Sequence, residues 1–463
     1  MQKNLSFILP FAIAALAIAS CKKNTSDLVA PATNTTTTPP PPSTTSTTVV
    51  KDSTVLVSRD IYLWNTQIPS TFNAQQYDDP AAIMTAIRPF SLEPGFSTAV
   101  DRWSFAMKKT EWDQMSAGIG LAASTSSSGD FGFSVFFRAE GDLRVRLVEP
   151  NSPSGIAAVH RGWRITAING NTNITTANAD FIVNAVYESA SANFTFTKPD
   201  GSSITLPFTA AHYAEKPVYL DTVYQVNGSK VGYLVYNSFL GNTTAVSGEM
   251  NRVFSSFASQ GVSDVVIDLR YNGGGYVSLA EQMGNYLVKS AANGQLMMTQ
   301  TYNAQNSSNN STTMFHKAGS LNLPRIYFIV GRGTASASEL LINNLKPYMD
   351  VRLIGPSATH GKPVGFFPTP VGDWYVFPVS FKTTNKNGEG NYYNGLPVNA
   401  QVADGLDKEW GDITENCLAS ALRNISSGSY RGGVEPTYTE PAQVGNANDA
   451  LDANNLKVTI GKK

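Results

Sequence analysis

Cysteine is almost missing: Cys21 and Cys417 are the only two in 463 residues, so at most one disulfide is possible. Histidine is nearly as scarce. His160, His212, His316 and His360 stand far apart with no metal-ligand spacing, so the sequence offers no metal site. Charge is thin too, at 15% of residues, and nearly balanced at a net −1 with a pI near 6.4. Without a basic excess there is no electrostatic case for nucleic acid or for an anionic membrane surface. The N-terminal apolar run, Leu5 to Ala19, falls short of the roughly 20 residues a membrane span needs. What the chain does have is 42% hydrophobic residues, enough for real cores. Its length suggests about three domains at roughly 150 residues each.

The first 21 residues read as a signal segment: a lysine, an apolar stretch, then small residues before Cys21. "IASC" resembles the lipobox of bacterial lipoproteins, in which the cysteine is acylated, and this implies a lipid anchor at Cys21. Cys417 would then be the sole thiol of the mature chain. Residues 22–50, with "NTTTTPPPPSTTSTT", cannot bury a core and read as an extended spacer. Residues 51–115 carry amphipathic pieces, "DIYLWNTQIP" and "DPAAIMTAIRPF", with Pro80 at a helix start, and predict a small N-terminal helical cap.

Residues 116–205 change texture to short alternating strands and Gly/Asn turns. They resemble a bacterial PDZ domain through "VEPNSPSGIAAVHRGWRITAINGN" and through "GIGL", Gly118, Ile119, Gly120 and Leu121. The resemblance implies that this loop and strand edge receive a peptide carboxylate. Arg161-Gly162-Trp163-Arg164 stands where the family has a Gly-Asp turn.

Residues 206–425 alternate strand and helix. "VGYLVY", "DVVIDL", "RIYFIV" and "VRLIG" are strands, and the apolar stripes between them are helical, so the fold expected is α/β with a largely parallel sheet. Ligands gather at the carboxyl ends of such strands. Three of those loops hold "RYNGGGY", "GRGTASASE" and "PSATHGKPVG", and they share a rim if their strands are neighbours. Singly, each has an ordinary explanation: a glycine turn, an N-cap with Ser336 and Glu339 at capping-box spacing, and a solvated Lys362. The tail, 426–463, is polar and aperiodic.

In order, "DLRYNGGG", "TASASE" and "GK" resemble the C-terminal processing (tail-specific) serine peptidases, with their tricorn-core, ClpP/crotonase-like catalytic fold. "DRWSF", "KVGYLVYNSF" and "GLPVNAQV" extend the likeness over most of the chain. The resemblance implies Ser336 as nucleophile and Lys362 as general base. It also implies an oxyanion hole made by the amide of Ala337 and one of Gly273 and Gly274. A serine needs a base to become a nucleophile, and a lysine can be that base only when burial keeps it neutral. Residue spacing alone favours neither Ser336 nor Ser338, and His360 is a rival base. The family's lysine is followed by a glutamine thought to orient it; Gly365 stands in that stretch here, and the loop before Lys362 is one residue longer.

The expectation is therefore a lipid-anchored endopeptidase of the cell envelope, cleaving proteins near their C-termini or in unstructured stretches through an acyl-enzyme, without a cofactor. Its rivals are a catalytically weak or inactive lipoprotein that binds peptides through the PDZ-like domain and, more remotely, a surface nutrient-binding lipoprotein.

Overall fold

The computed structural model describes residues 46–117, 129–430 and 442–454. Cys21 and the Gly118–Leu121 loop lie outside the described residues.

The chain enters its first helix, α1 (Thr47–Ile61), inside what reads as the end of the spacer, with Ser46 as N-cap. Helix α2 (Pro80–Ile87) starts as its sequence dictates. Asp79 Oδ1 accepts from Ala82 N–H at 2.8 Å and proline takes the first turn, where no N–H is needed. The cap is not wholly helical, because strand β1 (Phe105–Lys108) precedes α3 (Lys109–Ser116).

Next come β2 (Phe133–Ala139), β3 (Asp142–Val148), α4 (Pro153–Ile156), β4 (Arg164–Ile168), α5 (Ala179–Val183), β5 (Ser191–Thr197) and β6 (Ser203–Thr209). The strands pair antiparallel in the order β2-β3-β4-β5-β6, which leaves β2 at one edge among the described residues. Alternating residues such as Val135, Phe137, Phe194 and Phe196 turn inward to make this domain's own core.

The "RGWR" run docks this domain on the rest of the chain. The Arg161 side chain, 2% exposed, pairs with Asp404, donates to Tyr271 Oη at 2.6 Å and lies over the Trp410 ring. Gly162 has φ +83, and a Cβ there would fall 1.9 Å from Leu406 O. Gly162→Ala should therefore cost on the order of 3 kcal/mol, read as a lowered melting temperature. An unchanged melting temperature would mean that this contact does not hold the domain.

The third body runs β7 (Val218–Val226), β8 (Ser229–Tyr236), α6 (Thr243–Ser259), β9 (Asp264–Asp268), α7 (Val277–Leu287), β10 (Leu296–Tyr302), β11 (Ser311–Met314), β12 (Arg325–Ile329), α8 (Ala337–Leu345), β13 (Asp350–Gly355), β14 (Val364–Gly365), β15 (Thr369–Val371), β16 (Trp374–Phe377), β17 (Phe381–Asn385), β18 (Ala400–Gln401) and α9 (Asn416–Ser427). Its main sheet has the order β18-β13-β12-β9-β8-β7, parallel except for the β7–β8 hairpin. Strands β9, β12 and β13 are thus adjacent, and their three following loops share one rim. Every residue of β9 is buried, as a central parallel strand requires.

The cap closes over this rim. Tyr62, Trp103, Ile83 and Ile87 pack with Val364, Val379 and Tyr393, and β1 joins β16 and β15 in a small sheet. Within the polar tail, residues Ala442–Asn454 form a further helix, α10, whose Val444, Ala447 and Leu451 are buried in the core of the five-stranded domain.

Candidate active site

Ser336 is the N-cap residue of α8, at the end of the loop that follows β12. Its backbone sits at φ 54, ψ −116, a left-handed region that costs a non-glycine residue about 1–3 kcal/mol. The surroundings hold it there. Ala335 N–H donates to Asn272 O at 3.1 Å, and Ser336 N–H to Glu339 Oε2 at 3.0 Å. Ser338 is used differently. It is fully buried, and its hydroxyl donates to Asn272 O at 3.1 Å. Only Ser336 of the two lines the cavity at this rim.

The glycine loop after β9 lies against it. Gly274 has φ +102, and a Cβ there would fall 2.8 Å from Ser336 Cβ and 2.9 Å from Ala337 N. Close approach of this backbone to the serine is thus possible only for glycine. Gly274 N–H is engaged, donating to Asn272 Oδ1 at 2.9 Å. Of the glycine pair, Gly273 is therefore the better candidate to donate toward the cavity beside Ala337. Asn272, fully buried, also anchors the loop through Nδ2 to Tyr236 O at 3.0 Å. Just before it, Asp268 and Arg270 of the "DLR" stretch are buried and paired with each other, with Asp404 and Glu415 completing the network beneath the site.

Lys362 arrives from the loop after β13 and is 2% exposed. Burial pulls its amine down from 10.5 to about 7, helped by Arg88 and opposed by the carboxylates of Asp101 and Glu339. The Nζ stands 3.9 Å from the centre of the Phe366 ring. Phe366 is the residue four positions after the lysine, one beyond Gly365. An aromatic face supports an amine without offering it a carboxylate.

Glu339 ties the two loops together. Its buried carboxylate accepts from Ser336 N–H, Thr359 Oγ1, Gly361 N–H (2.7 Å) and Lys362 N–H (2.8 Å). Burial raises its carboxyl, while these four donors favour the ionised form. Capping-box spacing points to its bond with Ser336 but not to its reach across to the lysine loop. Asp101, from the cap, is likewise buried and receives Tyr62 Oη at 2.8 Å, Trp103 N–H at 2.9 Å and Ser104 N–H at 3.0 Å. "DRWSF" is in this way part of the site's electrostatics.

His360 does not line the cavity that holds Ser336 and Lys362. Its Nε2 accepts from Trp103 Nε1 at 3.0 Å, so that lone pair is not offered to the serine. Among the described residues, no group of three or more His, Cys, Asp or Glu side chains converges to hold a metal.

Ser336, Lys362 and the three glycines 273–275 open on one cavity of about 240 Å³. Trp112, Met115, Leu240, Tyr276 and Phe366 give it an apolar wall, and Arg146 of the five-stranded domain reaches its rim. Residues 230–395, which span all three loops, match the profile of peptidase family S41. By this core, the chain resembles peptidase family S41. An S41 core thus explains the ordered motifs on the three loops. The chain is 28% identical over 229 residues to a carboxyl-terminal-processing protease of a Picosynechococcus strain, covering 48% of this chain and 50% of that protein. It is 28% identical over 241 residues to a probable CtpA-like serine protease of Staphylococcus aureus (strain N315), covering 51% and 45%. The chain thus spans about half the length of the curated relatives it matches. A solved structure from Bacteroides fragilis assigned to the S41 proteases has the same fold, with a TM-score of 0.64 at 23% identity, covering 81% of this chain and 97% of that one.

Proposed function

We propose that the protein is a serine endopeptidase with a Ser336–Lys362 dyad. The observation that carries this reading is a strained serine sharing one cavity with a lysine whose amine burial has brought to about 7. Burying a lysine costs stability, and a neutral amine beside a serine gives that cost a chemical use.

In this mechanism the neutral Lys362 amine takes the Ser336 proton as Oγ attacks a peptide carbonyl. The amides of Ala337, at the N-terminus of α8, and Gly273 receive the oxyanion, each contributing about 3 kcal/mol. The Lys362 ammonium then protonates the leaving amine and an acyl-enzyme remains. Water, deprotonated by the same amine, hydrolyses it. No step calls for a cofactor. The apolar cavity wall favours apolar side chains beside the cleaved bond.

The five-stranded domain serves in this reading as a PDZ-like reader of peptides, and cleavage falls near C-termini or in unstructured stretches. The signal-like segment and Cys21 support a lipid anchor in the cell envelope. A fluorophosphonate probe separates the enzyme from a peptide-binding relative of the same fold: it should label the parent protein covalently on Ser336, whereas a disabled site stays unlabelled.

His360→Ala tests the rival base. Turnover of an unfolded protein should stay within about threefold of the parent, because the imidazole's bond to Trp103 is structural and worth about 1 kcal/mol. Loss of activity there with Lys362→Ala still active would make histidine the base.

A further inference from the structure

Among the described residues strand β2 is an edge, and two of its odd-numbered residues are met there by side chains instead of a neighbouring strand. Val135 N–H donates to Tyr187 Oη at 3.2 Å. Phe137 is held on both its groups by one side chain of α10: its N–H donates to Asn448 Oδ1 at 2.7 Å, and its C=O accepts from Asn448 Nδ2 at 2.9 Å. A carboxamide has the donor and acceptor of a peptide unit. Asn448 thus makes the two bonds that an added strand would make at this residue.

The same helix reaches the catalytic rim twice. Asp452 pairs with Arg146 at 2.8 Å, and Arg146 stands at the edge of the cavity that holds Ser336 and Lys362. Arg146 Nε has no hydrogen-bond partner among the described residues, so the guanidinium is only partly satisfied. Asp449 lies 3.2 Å from Arg332, in the loop that leads to Ser336. A weak element makes all these contacts. Helix α10 contains Gly445, Asn446 and Asn448 in thirteen residues, a composition that does not hold a short helix alone. Its burial rests on Val444, Ala447 and Leu451.

We propose that α10 is a built-in occupant of a peptide groove along β2. In the resting chain it closes that edge through Asn448 and covers Arg146 through Asp452. An extended peptide with an acidic group displaces it, pairing with β2 and placing its carboxylate on Arg146 beside the catalytic cavity. The groove itself stands on the contacts above; only the effect on turnover rests on the peptidase reading.

The test compares the full chain with its Asn448→Ala/Asp452→Asn variant, both substitutions lying outside the apolar contact. Hydrogen exchange across β2 reports the edge, and a fluorescein-labelled peptide with the sequence of residues 442–454 reports the groove. The variant should exchange Phe137 faster and bind the labelled peptide about tenfold more tightly, because its own helix vacates the site more often. Casein turnover should rise alongside. Unchanged exchange with equal peptide binding in both proteins would overturn the proposal. Changed exchange and binding with no casein turnover in either protein would leave the groove standing and sink the peptidase reading. If the double variant shows a lowered melting temperature, Asp452→Asn alone should give the same two changes at smaller size, and their absence there would overturn the proposal too.

Discussion

Ser336→Ala should lower turnover of an unfolded protein substrate by about 10⁴-fold or more, the scale of losing a catalytic nucleophile. Its melting temperature should stay close to the parent's, since the Ser336 backbone bonds to Glu339 and Leu340 survive the change. Ser338→Ala should do the reverse. It removes a buried bond to Asn272 O and should cost about 1 kcal/mol of stability while leaving most activity. The pair is informative because the two serines lie so close at the start of one helix. Assays of the two variants on casein, with thermal melts, check it; an active Ser336→Ala would transfer the role elsewhere.

Lys362→Arg should be as inactive as Lys362→Ala, because a guanidinium stays charged and cannot accept the serine proton. Stability supplies an independent sign. With its amine lowered from 10.5 to about 7, Lys362 is protonated in the unfolded chain and neutral in the folded one between those values. The unfolded state then binds more protons, so this group's contribution to stability rises with pH from about 7 to 10.5 and is least favourable below 7. Lys362→Met should therefore raise the melting temperature most at pH 6 and least near pH 10. A parent stability curve that the Met substitution leaves unchanged in shape would mean the lysine is solvated and charged.

The rim was legible in the sequence because its parts are local. Glycines, a serine before a helix and a lysine after a strand each sit within one short loop, while the adjacency of their strands, which the sequence left open, came from the sheet order. What escaped were partners joined across the chain. Glu339 bonds forward to Thr359, Gly361 and Lys362, a reach that capping-box spacing does not encode. Asp101 meets the lysine only after the cap folds over the rim. Phe366 supports the amine by its ring face, and its place four residues after Lys362 marks the position but not that contact. Helix α10 escaped for a different reason: Val444, Ala447 and Leu451 fall at helical spacing, but they stand in a short stretch of Gly, Asn and Asp that reads as polar, and its strongest contacts come from Asn448 and Asp452, which look like solvated residues. The departure at Arg161-Gly162 proved to be a docking device, because Asp404 and Leu406 lie far away in sequence.

The central claim is that a neutral Lys362 activates Ser336. Its most direct test is the rate at which a fluorophosphonate labels Ser336 across pH 5 to 10, followed by intact mass. The rate should climb about tenfold per pH unit below about 7, level off above it, and vanish in Lys362→Arg. A rate independent of pH, or labelling of Ser336 that persists in Lys362→Arg, would contradict the account.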